Sequence, residues 1–278
     1  MSDYRKQFRV EPGTQVRLKD WDPQYSDDHE KKKHALLEIE DCRQRLDDLQ
    51  YRLYAEGKSS LLICLQALDA GGKDGVVRHV IASMNPQGCR VASFKQPSAE
   101  ELAHDFLWRI ERQCPARGEV VIFNRSQYED ILIVRVHDLV PKKVWSRRYE
   151  QINEFERRLA AGGTHILKFF LNISKDEQLR RFGQRLDDPA RQWKISDGDY
   201  AERAYWADYQ EAYEAALTQC STDAAPWYVI PSDHKWFRDL SISRILVETM
   251  EKMDIELPKP TVDIAAIRRK YHEEAQKG

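Results

Sequence analysis

This 278-residue chain has no uninterrupted apolar run approaching the ~18 residues that a membrane-spanning helix needs, so no such helix is expected. Its first residues, MSDYRKQFRVEPG, lack the apolar stretch of a signal peptide. Cysteine is scarce and scattered. Cys42, Cys64, Cys89, Cys114 and Cys220 are odd in number and form no C-x-x-C pair. That speaks against a disulfide framework and a zinc site, and for a reducing cytoplasm. Neither sign of charge dominates: 44 Lys and Arg against 46 Asp and Glu leave a net charge of −2. No overall basic field therefore draws the chain to nucleic acid, and an anionic ligand must be met by local clusters. Internal repeats are also absent.

What remains is the composition of a soluble globular protein, 41% hydrophobic and 32% charged. The length suits one large α/β core with a small appended element. Residues 1–28 are polar and turn-rich and read as an arm across the surface. Helical periodicity follows over 31–55, with Leu36, Leu37, Cys42, Leu46 and Leu49 roughly on one stripe. Strands are expected at 61–67, 90–94, 119–123, 165–171 and 227–230. Helices are expected at 76–82, 100–113, 144–159, 174–186, 199–217 and 235–253. Strand and helix alternate at roughly the spacing of βαβ units, which predicts a mostly parallel sheet with helices on both faces. Ligands of such sheets bind beyond the carboxyl ends of the strands.

Two polar constellations fall at those ends. The first is LLICLQALDAGGKDG over 61–75, a strand opening into a glycine–lysine turn and then a helix. Backbone N–H groups and one flexible ammonium can converge there on phosphate. The pattern departs from G-x-x-x-x-G-K-[ST], with Ala67 for the first glycine and Asp74 for the hydroxyl residue. Asp69 and Asp74 beside a phosphate imply an intervening Mg²⁺, with Asp69 the better ligand and Asp74 equally suited to capping the helix. The plainer alternative is a tight turn with a surface lysine. The second constellation is FNRSQYED over 123–130. Arg125 offers a planar fork to phosphate oxygens, and Asp130 lies just beyond Asn124. Glu129 reads as a solvated residue, and Asn124 could simply start a turn.

Basic residues are concentrated over 142–158 and 175–194. Such runs are usually solvated faces. Arg181 and Arg185, four apart, could instead make a hinged cover over the loop, with Gly183 loosening it. Trp193 could anchor that segment in the core. The residues alone thus support a small-molecule or nucleoside kinase.

The chain also resembles the family-2 polyphosphate kinases. The resemblance rests on LDAGGKDG at 68–75, FNRSQYED at 123–130 and WSRRYEQINEFE at 145–156. It continues in FFLNISKDEQLRRFGQRLDDPARQWK at 169–194 and APWYVIPSDHKWF at 225–237. It implies a three-layer α/β P-loop kinase fold with a mostly parallel sheet, helices on both faces and a helical lid. It also implies Mg²⁺-dependent transfer, Mn²⁺ being a substitute, between inorganic polyphosphate and adenine nucleotides, with guanine nucleotides as further acceptors. The motif flavour resembles the branch that phosphorylates both AMP and ADP. Asp69 and Asp130 match the metal-binding acids. The catalytic set would be Asp69, Lys73, Asn124, Arg125, Asp130, Arg181 and Arg185. Ligand contacts would come from Gly71, Gly72, Lys73, Asp74, Gly75, Arg125 and Arg180. Polyphosphate would lie along a groove fed by the 142–158 and lid segments. No phosphohistidine is required, and His79 and His137 read as helix or packing residues.

The expected division is an arm and helix at 1–56, a kinase domain at 57–257 with its lid at about 174–196, and a charged tail at 258–278. The apolar content of 31–55 permits self-association, and a homo-oligomer (dimer or tetramer) is expected. An ATP-dependent nucleotide or nucleoside kinase is the enzymatic rival. A non-catalytic nucleotide or polyphosphate-binding regulator is the rival of a different class.

Overall fold

The computed structural model describes residues 3–27 and 32–277. Residues 1, 2 and 28 of the expected arm, and Lys31 of the expected helix, lie outside the described residues. Five strands form one sheet: Ser60–Gln66 (β1), Cys89–Ser93 (β2), Val120–Asn124 (β3), Thr164–Asn172 (β4) and Trp227–Pro231 (β5). All pair in parallel, in the order β2-β3-β1-β4-β5. Every residue of β1 and β5 is buried, as near-continuous apolar runs covered on both faces should be. Edge strand β2 buries only Ala92 fully.

The two-residue period of the strands divides their side chains between opposite cores. Leu61, Ile63 and Leu65 of β1 join Ile122 and Phe169 on one face. That face is covered by helices Lys32–Glu56 (α1), Lys73–His79 (α2) and, further along the chain, Lys235–Glu251. The opposite face carries Leu62, Cys64, Phe123, Phe170 and Val229. It packs on helix Lys142–Ala161 (α3) and on a later helix, Trp206–Cys220. Helix Lys175–Asp187 (α4) follows β4 directly; the later pair are α5 (Trp206–Cys220) and α6 (Lys235–Glu251).

Several boundaries differ from the sequence expectation. Helix α2 begins at Lys73, three residues early, so the lysine is part of it. The single helix expected over 100–113 is two short ones, Ala99–Leu102 and Trp108–Glu111. Between them, Asp105 Oδ1 accepts from the Leu107 backbone N–H at 2.9 Å, a local turn that competes with the helix. The helix expected over 199–217 divides at Tyr205. The arm is not a surface strap. Tyr4, Phe8, Val10, Val16 and Leu18 are buried, and Arg9 bridges antiparallel to Tyr228. Bonds of 2.9 Å from Val10 N to Trp227 O and from Val229 N to Phe8 O cover the exposed edge of β5. Beyond 258 the chain forms an exposed helix, Ile264–Ala275, with no buried residue.

Candidate active site

Register places the ends of β1 and β3 side by side. Leu65 pairs with Asn124, and the Arg125 backbone N–H donates to Leu65 O at 3.1 Å. The loops after these strands therefore open into the same space. After β1 the chain turns tightly, with Gly71 N donating to Leu68 O at 3.0 Å and Ala70 at φ +58°. Gly72 has φ +110°, and a Cβ there would stand 1.9 Å from Arg238 Nη1. A Cβ on Gly71 would meet Ala67 Cβ at 2.5 Å, and one on Gly75 would meet Arg238 Nη2 at 2.8 Å. The glycines are required because a guanidinium and the loop's own backbone occupy the space a side chain would need.

Lys73 folds back over this loop, its ammonium donating to Ala67 O at 2.8 Å. Burial, followed by the charge of Arg125, lowers its pKa. Asp74 makes no capping bond. Its carboxylate accepts from Asn124 Nδ2 at 3.0 Å and lies 3.3 Å from Lys194 Nζ. Burial raises its pKa, but those two bonds and the charges of Lys194 and Lys73 together outweigh it and the net shift is downward.

Arg125 is held at φ +62°, and its Nη2 lies 3.4 Å from Asp69 Oδ1. Gln178 Nε2 donates to the Asp69 carbonyl at 2.9 Å. Glu129, read from the sequence as a solvated residue, acts electrostatically on both Lys73 and Arg125. Asp130 sits apart from the cleft lining, between two arginines. Arg148 Nη1 is 3.3 Å from its Oδ1, and Arg109 Nη2 is 3.7 Å from its Oδ2. Burial pushes its carboxyl up to about 6 despite those cations, and the buried Oδ2 makes no hydrogen bond.

Among the described residues no three His, Cys, Asp or Glu side chains assemble as a metal-binding group. Both carboxylates of the expected pair, Asp69 and Asp130, are oxygen donors of the kind a hard cation takes. Asp69 lines the cleft, while Asp130, outside that lining, has one buried oxygen without a hydrogen bond. Mg²⁺ is commonly held by one or two carboxylates, with waters and substrate phosphates completing its shell.

The arginines of α4 take roles the sequence did not disclose. Ser174 Oγ caps the helix, accepting from Glu177 N at 3.1 Å. Arg181 was expected to cover a transferring phosphate, but it is only 5% exposed; its Nε donates to Glu177 Oε1 at 2.7 Å and its other nitrogens go to carbonyls. It donates to Ala70 O at 2.8 Å and Gly71 O at 3.2 Å, and also bonds the carbonyls of Ser232 and Asp233. It thus ties the phosphate loop to the turn after β5. Arg180 pairs with Glu177 and remains largely exposed. Arg185 donates to Lys194 O at 3.0 Å, bracing the segment after α4. Trp193 does not anchor that segment in the core; it is 77% exposed.

These groups line one cleft of about 1600 Å³, with Lys73, Arg78, Lys95, Arg125, Arg180, Arg191 and Lys235 among its cations. Among the described residues, none from 142–158 lines it, contrary to expectation. Helix α3 turns Tyr149, Ile152, Phe155 and Glu156 into the core, while Arg158 pairs with Glu111. The basic wall comes instead from α2, α4 and the start of α6, with Lys95, Arg125, Arg191 and Lys194 from the connecting segments. Arg238, buried against Gly72 and Gly75 and paired with Asp239 at 2.6 Å, was missed. It stands one residue beyond the DHKWF motif, and only the packing reveals what it does.

A parallel α/β sheet with a glycine–lysine loop and convergent cations at its carboxyl end defines an enzyme that handles phosphate groups. A family model described as polyphosphate kinase 2 (PPK2) matches residues 24–258. An AMP/ADP-polyphosphate phosphotransferase of Meiothermus ruber is 53% identical over 92% of this chain and 96% of its own length. An ADP-polyphosphate phosphotransferase of Rhodopseudomonas palustris is 47% identical over 92% of this chain and 93% of its own. The crystal structure of polyphosphate kinase 2 from Arthrobacter aurescens TC1 superposes with a TM-score of 0.94 at 44% identity, covering 98% of this chain and 97% of that one. The chain belongs to the polyphosphate kinase 2 family and is a phosphotransferase.

Proposed function

We propose that the protein moves the terminal phosphoryl group of inorganic polyphosphate onto AMP and onto ADP, reversibly, through the cleft at the ends of β1 and β3. The carrying observation is the convergence there of the 71–75 glycine turn, Lys73, Asp69 and Arg125. The acceptor range follows the AMP/ADP name borne by the relative from Meiothermus ruber. The fold is read as a P-loop kinase fold, with 174–196 as a lid and with the domain limits expected from the sequence.

In this reading a terminal phosphate oxygen of the nucleotide attacks the end phosphorus of the polymer in line. One P–O bond forms as another breaks, and the shortened polymer leaves with the bonding electrons. The attacking oxygen is already ionised, so no strong general base is needed. Lys73 and Arg125 stabilise the transferring group, aided by Arg180 and by backbone N–H groups of 71–75. Arg181 serves by holding the loop, and Arg185 by bracing the lid. Asn124 fixes Asp74. Asp69 and Asp130 would hold Mg²⁺, or Mn²⁺ in its place, which when bound offsets the charge on phosphate oxygens. The protein is proposed to act in the cytoplasm as a homo-oligomer, and guanine nucleotides are proposed as further acceptors. Among the described residues no helix is long and apolar enough to cross a membrane.

Incubating the purified protein with Mg²⁺, polyphosphate and AMP should yield ADP and then ATP. Product from ADP but none from AMP would restrict the acceptor. Turnover with ATP in place of polyphosphate, and none with polyphosphate, would replace the donor.

A further inference from the structure

Of the four polar residues between the two site residues Arg125 and Asp130, the first three, Ser126, Gln127 and Tyr128, are each 0% exposed. A turn that merely packed a strand against a helix would place apolar groups there. Instead all three point into a buried polar network beneath the site. Lys168, in the middle of β4 and 0% exposed, donates to Glu156 Oε2 at 2.6 Å, Tyr128 Oη at 2.8 Å and Cys220 O at 2.6 Å. Its three ammonium donors are thereby matched. Glu156 of α3, 1% exposed, accepts at Oε1 from Tyr128 Oη and Gln127 Nε2, both at 2.9 Å. Gln66, at the end of β1, donates to Ser126 Oγ at 3.3 Å.

A buried ion pair of this kind is often no better for stability than apolar residues of the same volume, because desolvation offsets the attraction. Its value must be sought elsewhere. Arg125 is held at φ +62°, a conformation that non-glycine residues adopt only when the surroundings over-determine it. The network supplies that determination, since the residues directly after Arg125 are fastened to β1, β4 and α3 at once. We infer that Lys168 and Glu156 form a positioning pair that fixes 126–128 and thereby holds Arg125 and Asp130 in register with the phosphate loop. Neither residue lines the cleft, so both act through the segment and not on substrate. The inference rests on the phosphoryl-transfer reading only for its consequence on turnover.

The experiment compares wild type with K168M/E156L, which replaces the pair by apolar side chains of similar size, and with Y128F, which keeps the pair but cuts the hydroxyl link. Hydrogen exchange is followed by peptide alongside kcat and KM. Exchange over 124–130 should rise at least tenfold in both variants, with β1 and β4 still protected. Turnover per folded molecule should fall about 100-fold in the double variant and about tenfold in Y128F, while KM for polyphosphate and nucleotide stays within about threefold. Unchanged exchange over 124–130 in Y128F would overturn the inference, whether or not the double variant folds. So would a uniform loss of protection with normal turnover per folded molecule, the mark of a purely structural pair. An inactive wild type would refute the activity reading, and the exchange result would still decide the positioning one.

Discussion

Among the described residues the Lys73 ammonium makes one hydrogen bond, to Ala67 O in its own loop, and otherwise feels the repulsion of Arg125 and the attraction of Asp69, Glu129 and Asp74. Its ammonium is therefore displaceable toward a phosphate without disturbing distant packing. Lys73→Ala should lower kcat by about 10²–10³-fold, the cost of removing one preorganised charge-stabilising group. Its melting temperature should remain close to that of wild type, checked by calorimetry beside the kinetic assay. A folded variant with full turnover would remove Lys73 from the chemistry. The convergence of this lysine, Asp69 and Arg125 in one cleft was legible in the sequence because each sits at a fixed offset from a strand end. Arg181 was not. Besides Glu177, its guanidinium goes to four backbone carbonyls on two loops, and carbonyls are carried by every residue type. Likewise, a glycine motif shows that a side chain is excluded, but not that Arg238 is what excludes it.

Elements were legible where one period dominated. Strands β1, β3, β4 and β5 were recognisable as largely apolar runs, and the start of α4 near residue 174 is fixed by Ser174, whose Oγ accepts from Glu177 N. Helix breaks at Asp105 and Tyr205 were not, because local turn bonding and tertiary packing decide them. Two glycines show how the element sets the meaning of one residue type. Gly183 lies within α4, where an added Cβ would meet nothing within 4 Å. Gly183→Ala should therefore stabilise the protein by about 0.5–1 kcal/mol through the lower entropy of its unfolded chain. That corresponds to a rise in Tm of roughly 2 °C. Gly72, with φ +110° and Arg238 against it, should behave oppositely. Gly72→Ala should lower Tm and abolish most turnover, because backbone strain of about 1–3 kcal/mol adds to a clash with a buried guanidinium. Thermal melts of the two variants side by side check both signs.

At the scale of the molecule, parallel strands and flanking helices were legible from alternation alone. The burial of the arm was not, because a polar, turn-rich segment carries no sign that its few apolar residues dock on a sheet edge. The cysteines report on how completely the architecture closes. All five are free, and they are distributed over α1, β1, β2, α5 and the turn after Trp108–Glu111. Burial pushes Cys42 and Cys89 up to about 11 and Cys114 and Cys220 up to about 12, and raises Cys64 well above its usual value. A thiol reacts as the thiolate, and an unperturbed cysteine titrates near ~8.5. At pH 8 the native protein should therefore react with a chromogenic disulfide reagent at least ~100-fold more slowly than the denatured chain. Denaturant should release five equivalents, the number of cysteines in the chain. Because the thiols lie in different elements, unfolding as one unit should release them together at the denaturant midpoint seen by circular dichroism. Release of the α1 thiol Cys42 ahead of the sheet thiols would instead identify α1 as a separately opening unit.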